Sequence, residues 1–265
     1  MSQKPDPQIP RRRFRFFRSV SALVLREMTT TYGRSPGGYL WAVVEPAAGI
    51  ALLSFIFLLV VRVPAIGDNF PLFFATGLMP FLLFLQLSNL VGMAINYSRV
   101  FMAYPAVTFM DVILARFILN GLTILLVTVI VITGIIVVFD LTVILNGQAI
   151  MNAICMTFTL AMGVGVLNCY LFTAFPVWQR AWGILMRPMF ILAGILFTPE
   201  FVPDRYLSYY MANPLPHITS EMRRGFYVTY DAVHVNSLYV YSVALVCGAF
   251  GMLLLLRNHK DLAEL

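Results

Sequence analysis

Polar and apolar residues do not alternate along this chain; they segregate into blocks. Apolar runs recur from end to end, and a run of about 20 residues suffices to cross a hydrocarbon core of about 30 Å as a helix. Six such runs stand out, near Tyr39–Val61, Phe70–Ile95, Val112–Phe139, Gln148–Phe172, Gly183–Phe197 and Leu238–Leu256. The third is long enough to tilt or to project beyond the bilayer. The fifth is short and leads into "FTPEFVPDRYLSYYMANPLPH", whose prolines interrupt any continuous helix. A transmembrane β-barrel would instead show short alternating segments. The pattern therefore predicts an all-α polytopic membrane protein with six transmembrane helices. Residues 1–265 form one membrane domain, with no internal repeat and no room between runs for a soluble domain.

The segment ahead of the first run differs. "RRRFRFFRSVSALVLREMTT" reads as an amphipathic helix over about 11–32. On a helix of about 3.6 residues per turn, Arg15, Arg18, Ser19 and Arg26 share one arc and Phe14, Phe17, Val20, Val24, Leu25 and Met28 the opposite one. Such a helix lies in the membrane interface with its aromatic side dipped among the lipids. It serves as a topology anchor on anionic lipid, or additionally as a gating or docking element at the cytoplasmic entrance. The first spanning run starts near residue 39, too late and too long for a signal-peptide core. No cleavable signal is expected, and the first span directs insertion.

Composition sharpens this picture. The chain is 60% hydrophobic and 11% charged, where a soluble domain carries roughly a quarter charged residues. The net charge of +6 raises the question of nucleic acid, but its distribution points to topology instead. Of the eighteen lysines and arginines, fourteen fall on the side of the amino terminus, and four (Arg62, Arg205, Arg223 and Arg224) fall on the other. Both termini are thereby expected in the cytoplasm. The largest external segment is then 198–237. Three cysteines, Cys155, Cys169 and Cys247, lie inside apolar runs, which fits packing rather than a disulfide framework or a zinc site.

Enzyme signatures are missing. Lys4 and Lys260 are the only lysines, and neither follows the glycine-rich turn that cradles nucleotide phosphates. There is no G-x-S-x-G and no carboxylate pair of the glycosyltransferase kind. "HITSE" sets His217 and Glu221 four residues apart, but no third metal ligand accompanies them. Ion-coupled carriers hold charged relays at mid-membrane, whereas here Glu45 is the only deep candidate. Asp111, Arg116, Asp140 and Arg62 lie near span ends. A transporter with neither motor nor relay points to a separate source of energy.

Two stretches carry a family resemblance. "REMTTTYGRSPGGYLWAVVEP", residues 26–46, resembles the entry to the first span of ABC-2 type permeases. The matching residues are Gly33, Arg34, Ser35, Gly38, Tyr39, Leu40, Trp41, Ala42, Glu45 and Pro46. "FTPEFVPDRYLSYYMANPLPHITSEMRRGFY", residues 197–227, resembles the re-entrant helical region and Asn-Pro-Leu-x-His…Glu-x-x-Arg signature of the capsular polysaccharide export branch. The resemblance implies a permease of the bacterial inner membrane that moves a lipid-linked acidic polysaccharide outward. It also implies a second copy of the chain and two copies of an ABC ATPase, with ATP and magnesium on that partner and no cofactor on this chain. A periplasmic polysaccharide co-polymerase and outer-membrane export proteins complete the expected set. Cargo alternatives within the family are O-antigen, teichoic acid or a small hydrophobic drug. Outside it stand an ion-coupled flippase or a membrane-embedded enzyme acting alone.

Site expectations follow. At the cytoplasmic entrance Arg34, Tyr39, Trp41, Glu45 and Pro46 either pair and bend the helix locally or shape the mouth of a conduit. Near the interface Glu45 costs less than the roughly 2.5–3.5 kcal/mol of a charge at the helix centre, and Pro46 frees a backbone carbonyl that needs another partner. In "NYSRVFMAYPAVTFMD", residues 96–111, Arg99, Tyr104 and Pro105 are candidates for coupling to the ATPase, the alternative being an ordinary amphipathic connector. A second, basic contact is expected at "FPVWQRAW", residues 175–182. On the external side Tyr206, Tyr209, Tyr210, Arg223 and Arg224 either form an aromatic belt with lipid-bound arginines or line a path for an acidic glycan.

Overall fold

The structure is a computed structural model, and it describes residues 38–60, 63–102 and 108–258, together with residues 21, 23 and 24. The interfacial helix expected over 11–32 lies almost wholly outside these residues. Among the described residues the chain is helical throughout, with no strand. In order come α1 (Gly38–Val60), α2 (Phe70–Gly92), α3 (Ala94–Met102), α4 (Phe109–Val138), α5 (Gly147–Ala174) and α6 (Pro176–Leu192). A single 3-10 turn at Pro199–Phe201 then leads to α7 (Asp204–Met211), α8 (Pro214–Phe226) and α9 (Ser237–Arg257).

Asparagines start four of these helices, Asn213 before α8 among them. Asn69, Asn146 and Asn236 accept hydrogen bonds from the amides of Leu72, Ala149 and Tyr239, satisfying donors that a helix start leaves unpaired. α4 opens on a reciprocal cap: Thr108 N–H donates to Asp111 Oδ2 at 2.9 Å and Asp111 N–H donates to Thr108 Oγ1 at 3.3 Å. At 30 residues, α4 runs about 45 Å, well beyond the hydrocarbon core. Inside the bundle Thr76, Thr128, Thr157 and Thr173 turn their hydroxyls back onto carbonyls one turn earlier, so these four hydroxyls are bonded in apolar surroundings.

Burial separates the middle of the bundle from its flank. Of its most apolar window, α2 buries 78% and α1 only 17%. α5 packs chiefly against α9 and α2, and α2 also meets α4, α8 and α1. Glycine sets the α5–α9 spacing. A Cβ on Gly163 would overlap the carbonyl of Ala244, and one on Gly251 would overlap the backbone of Leu167. Small residues thus let the two backbones approach where dispersion, not the hydrophobic effect, holds helices together.

The expected span at Gly183–Phe197 requires correction. Five described helices, α1 (from Leu40), α2, α4, α5 and α9, are long and apolar enough to cross a membrane. The remaining run forms α6 instead, which starts seven residues before the expected span and ends five short of it. Pro176 presets its first turn, and Gly194, at φ +75°, turns the chain away after Leu192. With 17 residues α6 spans about 26 Å. It carries Arg180, Arg187 and Pro188 within its length, and of its residues only Met186 is buried.

Candidate functional site

The densest polar cluster is built around α8. Pro214 presets the first turn, and the Asn213 side chain accepts from the Leu215 amide at 3.1 Å. Arg223 and Arg224 fall in the last turn, where the helix dipole favours cations. α8 packs against α5, α2 and α9, so its polar side chains are buried. His217, Thr219, Ser220, Glu221 and Arg223 are each 3% exposed or less.

Most of these groups are answered by the protein itself. His217 Nδ1 accepts from the Asn236 amide at 3.0 Å, so Nε2 carries the proton and donates to the Met211 carbonyl at 2.9 Å. Burial lowers its pKa, which keeps the ring neutral. Glu221 Oε1 accepts from Asn152 Nδ2 at 2.9 Å and from Arg224 Nη2 at 2.7 Å. Asn152 also donates to Ser237 Oγ and accepts from the Tyr241 hydroxyl, tying α5, α8 and α9 together.

Arg223 holds the turn that follows α6. Its Nη1 donates to Gly194 O at 2.6 Å and Phe197 O at 3.3 Å, and its Nη2 donates to Ile195 O at 2.8 Å. The guanidinium carbon lies 4.1 Å from the centre of the Phe73 ring. Burial pushes its pKa down to about 10 while Tyr230, Tyr227, Tyr210 and Glu200 raise it, so the charge persists at neutral pH. Burial likewise pushes the Tyr230 phenol up to about 12.

This geometry corrects the external expectation. Arg223 is 0% exposed and its donors face backbone carbonyls, so it presents no surface to a glycan. Tyr210 is also buried, its hydroxyl against the position a Cβ on Gly194 would take. Arg224 remains partly exposed beside Glu221. It borders a cavity of about 650 Å³ with Asn146, Gln148, Tyr230 and Asp231. Tyr206 and Tyr209 point outward from α7, 57% and 81% exposed.

The entrance residues separate in a different way. Arg34 lies outside the described residues. Tyr39 sits in the first turn of α1, Trp41 and Glu45 are exposed, and Pro46 is buried. Glu45 and Pro46 line a groove of about 350 Å³ with Leu78, Leu82, Gln86 and Phe190. A smaller space of about 120 Å³ adds Ala42 and Thr123. Pro46 carries no N–H for the Ala42 carbonyl, four residues earlier, and both residues border that smaller space. Of the coupling candidates, Arg99 lies on α3, whereas Tyr104 and Pro105 fall outside the described residues.

Gln86 and Asn152 escaped the sequence reading. Each is a single carboxamide in an apolar run, "FLLFLQLSN" and "AIMNAIC", and a polar residue inside a span was the available signal.

A bundle of long apolar helices, with a short half-exposed helix and two further helices ahead of the last, is an arrangement with known relatives. Residues 18–227 match the ABC-2 type transporter family, and the chain belongs to that family. It is 31% identical over 241 residues to the polysialic acid transport protein KpsM of Escherichia coli, covering 89% of this chain and 92% of that protein. It is 25% identical over 245 residues to the capsule polysaccharide export inner-membrane protein CtrC of Neisseria meningitidis serogroup B, covering 92% of each. It is 26% identical over 229 residues to the capsule polysaccharide export inner-membrane protein BexB of Haemophilus influenzae, with 82% of this chain and 83% of that one covered.

Proposed function

We propose that this chain is the membrane subunit of an ABC exporter that moves lipid-linked, acidic capsular polysaccharide out across the bacterial inner membrane. One observation carries the reading: over about nine-tenths of its length the chain is similar to capsule export and polysialic acid transport proteins, within the ABC-2 family. The sequence has no Gly-Lys-Ser/Thr loop, so ATP is hydrolysed on a partner, seated on the connector between α2 and α4. Both termini face that partner, in keeping with the lysine and arginine bias.

The exporter is a homodimer with two ATPase copies. α1 leaves Leu52, Phe55, Leu58 and Leu59 exposed, and α6 leaves Ile184 and Ile191 exposed. These apolar faces, flanking the Glu45–Gln86 groove, are what a second copy and the intervening conduit would cover. Glu45 and Gln86 then offer hydroxyl-bonding groups near the cytoplasmic end, while Tyr206 and Tyr209 offer flat faces for sugar rings outside. Arg99, Tyr104 and Pro105 belong to the coupling connector.

A strain lacking the gene is the test. Complementation by this chain together with its ATPase restores surface polysaccharide, and the two co-purify. A purified chain that hydrolysed ATP alone, or a deletion strain with normal surface polysaccharide, would overturn the reading.

A further inference from the structure

The connector's junction with α2 carries an arginine that the function above has not used. α2 ends at Gly92 and α3 begins at Ala94, leaving Met93, at φ −90° and ψ 5°, as the single residue between the two helices. The end of α2 is seated firmly, because a Cβ on Gly92 would overlap the Phe172 ring of α5. Beyond it α3 buries Ala94, Ile95 and Ser98 and packs on α4 and α5. A one-residue bend has two soft dihedrals, so contacts from outside must set its angle.

Arg116, in the second turn of α4, straddles that bend. Its Nη1 donates to the Leu90 carbonyl in the last turn of α2 at 3.1 Å. Its guanidinium carbon lies 4.5 Å from the centre of the Tyr97 ring in the first turn of α3. The side chain is 7% exposed. Carbonyls at a helix end run out of donors and carry partial negative charge, so a cation is favoured there. A planar guanidinium can bond such a carbonyl at its edge and stack on a ring with its face, which a lysine ammonium cannot do.

We propose that Arg116 is a positioning residue that fixes the angle between α2 and the connector α3, so that motion imposed on the connector by the ATPase reaches α2 and α4. The proposal rests on the exporter reading above. Arg116 joins three elements through one rigid group: the end of one span, the start of the connector and the beginning of the next span. With the guanidinium removed, the connector still exists but turns about Met93 without moving the spans. The signature is therefore loss of coupling, not loss of assembly.

The test uses the assembled permease–ATPase complex in proteoliposomes and reads polysaccharide moved per ATP hydrolysed. Arg116→Gln and Tyr97→Ala each lower that ratio roughly threefold or more, the equilibrium bias of one stacked cation. Tyr97→Phe, which keeps the ring, restores it. Tyr97 is 65% exposed, so its truncation tests the same contact without opening a buried site. A wild-type ratio in assembled Tyr97→Ala complex would overturn the proposal, and so would loss of the ATPase from that variant, which would make the ring a docking contact. A wild-type preparation that binds no ATPase would remove the exporter reading and this proposal with it.

Discussion

Replacing Arg223 with methionine is the most informative single change in the cluster around α8. Methionine fills similar volume but leaves the carbonyls of Gly194, Ile195 and Phe197 without the donors that reach them at 2.6, 2.8 and 3.3 Å. Each buried acceptor left unpaired costs about 1–3 kcal/mol. The lost stacking on Phe73, at 4.1 Å, adds about 0.5–2 kcal/mol. Against this, the folded state no longer desolvates a guanidinium, an opposing gain of several kcal/mol. The net is of the order of 3 kcal/mol destabilising, since three unpaired carbonyls and the lost stacking outweigh the desolvation regained.

For a chain of this size that loss lowers the midpoint of thermal unfolding by on the order of 10 °C, measured on the detergent-purified complex. Arg223→Lys keeps a charge and three donors without the planar face, and falls between wild type and methionine. Arg224→Gln, on a half-exposed side chain that can still donate to Glu221, shifts the midpoint little. Wild-type thermal stability in Arg223→Met with export abolished would refute the reasoning, for it would place the guanidinium on the cargo rather than on the turn after α6.

Other consequences follow from the same packing and topology. Cysteines placed at Ile144 and Val233, exposed by 76% and 81%, label from the periplasm in intact cells, whereas one at Val177, exposed by 77%, does not. Labelling of the Val177 site would invert the orientation. Gly163→Val drives a side chain into the Ala244 carbonyl and separates α5 from α9, cutting membrane abundance as read by immunoblot. Unaltered abundance would show that the contact yields easily. Glu45→Gln keeps a hydrogen-bonding group in the groove beside Gln86 and retains measurable export, while Glu45→Leu loses most of it. Equal export from both variants would take the side chain out of the conduit.

Much of the fold was legible because helix ends here are written in asparagine and proline. The runs expected at Gln148–Phe172 and Leu238–Leu256 became Gly147–Ala174 and Ser237–Arg257, each opening on an asparagine cap. The run expected to continue from Phe70 to Ile95 breaks at Met93, because hydropathy continues through a bend that only backbone angles define. α6 was misplaced for a related reason. Apolar residues continue to Phe197, but the chain turns at Gly194, and the helix begins among the polar residues after Pro176. The external site misled by adjacency. Two neighbouring arginines invite one role, yet on a helix they point about 100° apart. Ile218, Met222 and Phe226 recur every fourth residue and mark the face of α8 that packs inward. Arg223 borders that face and Arg224 lies about 200° from Met222, across the helix, so this separation was readable from spacing alone. What spacing does not reveal is the partner of Arg223, carbonyls from a turn 26 to 29 residues earlier in the chain.

The two ends of the molecule spend their polar groups differently, and this bears on where a hydroxyl-rich cargo can be held. Around α8 His217, Asn152 and Arg223 are bonded to the protein's own backbone and side chains, which fixes α8 between α2, α5 and α9. A glycan could recruit them only by breaking a buried network, at a cost of several kcal/mol. In the second turn of α1 Glu45 has no hydrogen-bond or ion-pair partner among the described residues, and together with Gln86 it borders two grooves. Pro46 keeps the Ala42 carbonyl from its usual helical donor beside the smaller of them. Three polar groups thus border a wall of leucine, proline and phenylalanine. Such groups serve water, a neighbouring copy or passing hydroxyls without any rearrangement of the fold. A conduit must release what it holds, and groups the fold has not already consumed meet that demand more readily than the buried cluster at α8. On the proposed reading the placement of Glu45 and Pro46 inside an apolar run has this use: the proline withholds a backbone donor beside the carboxylate, and both residues border the groove.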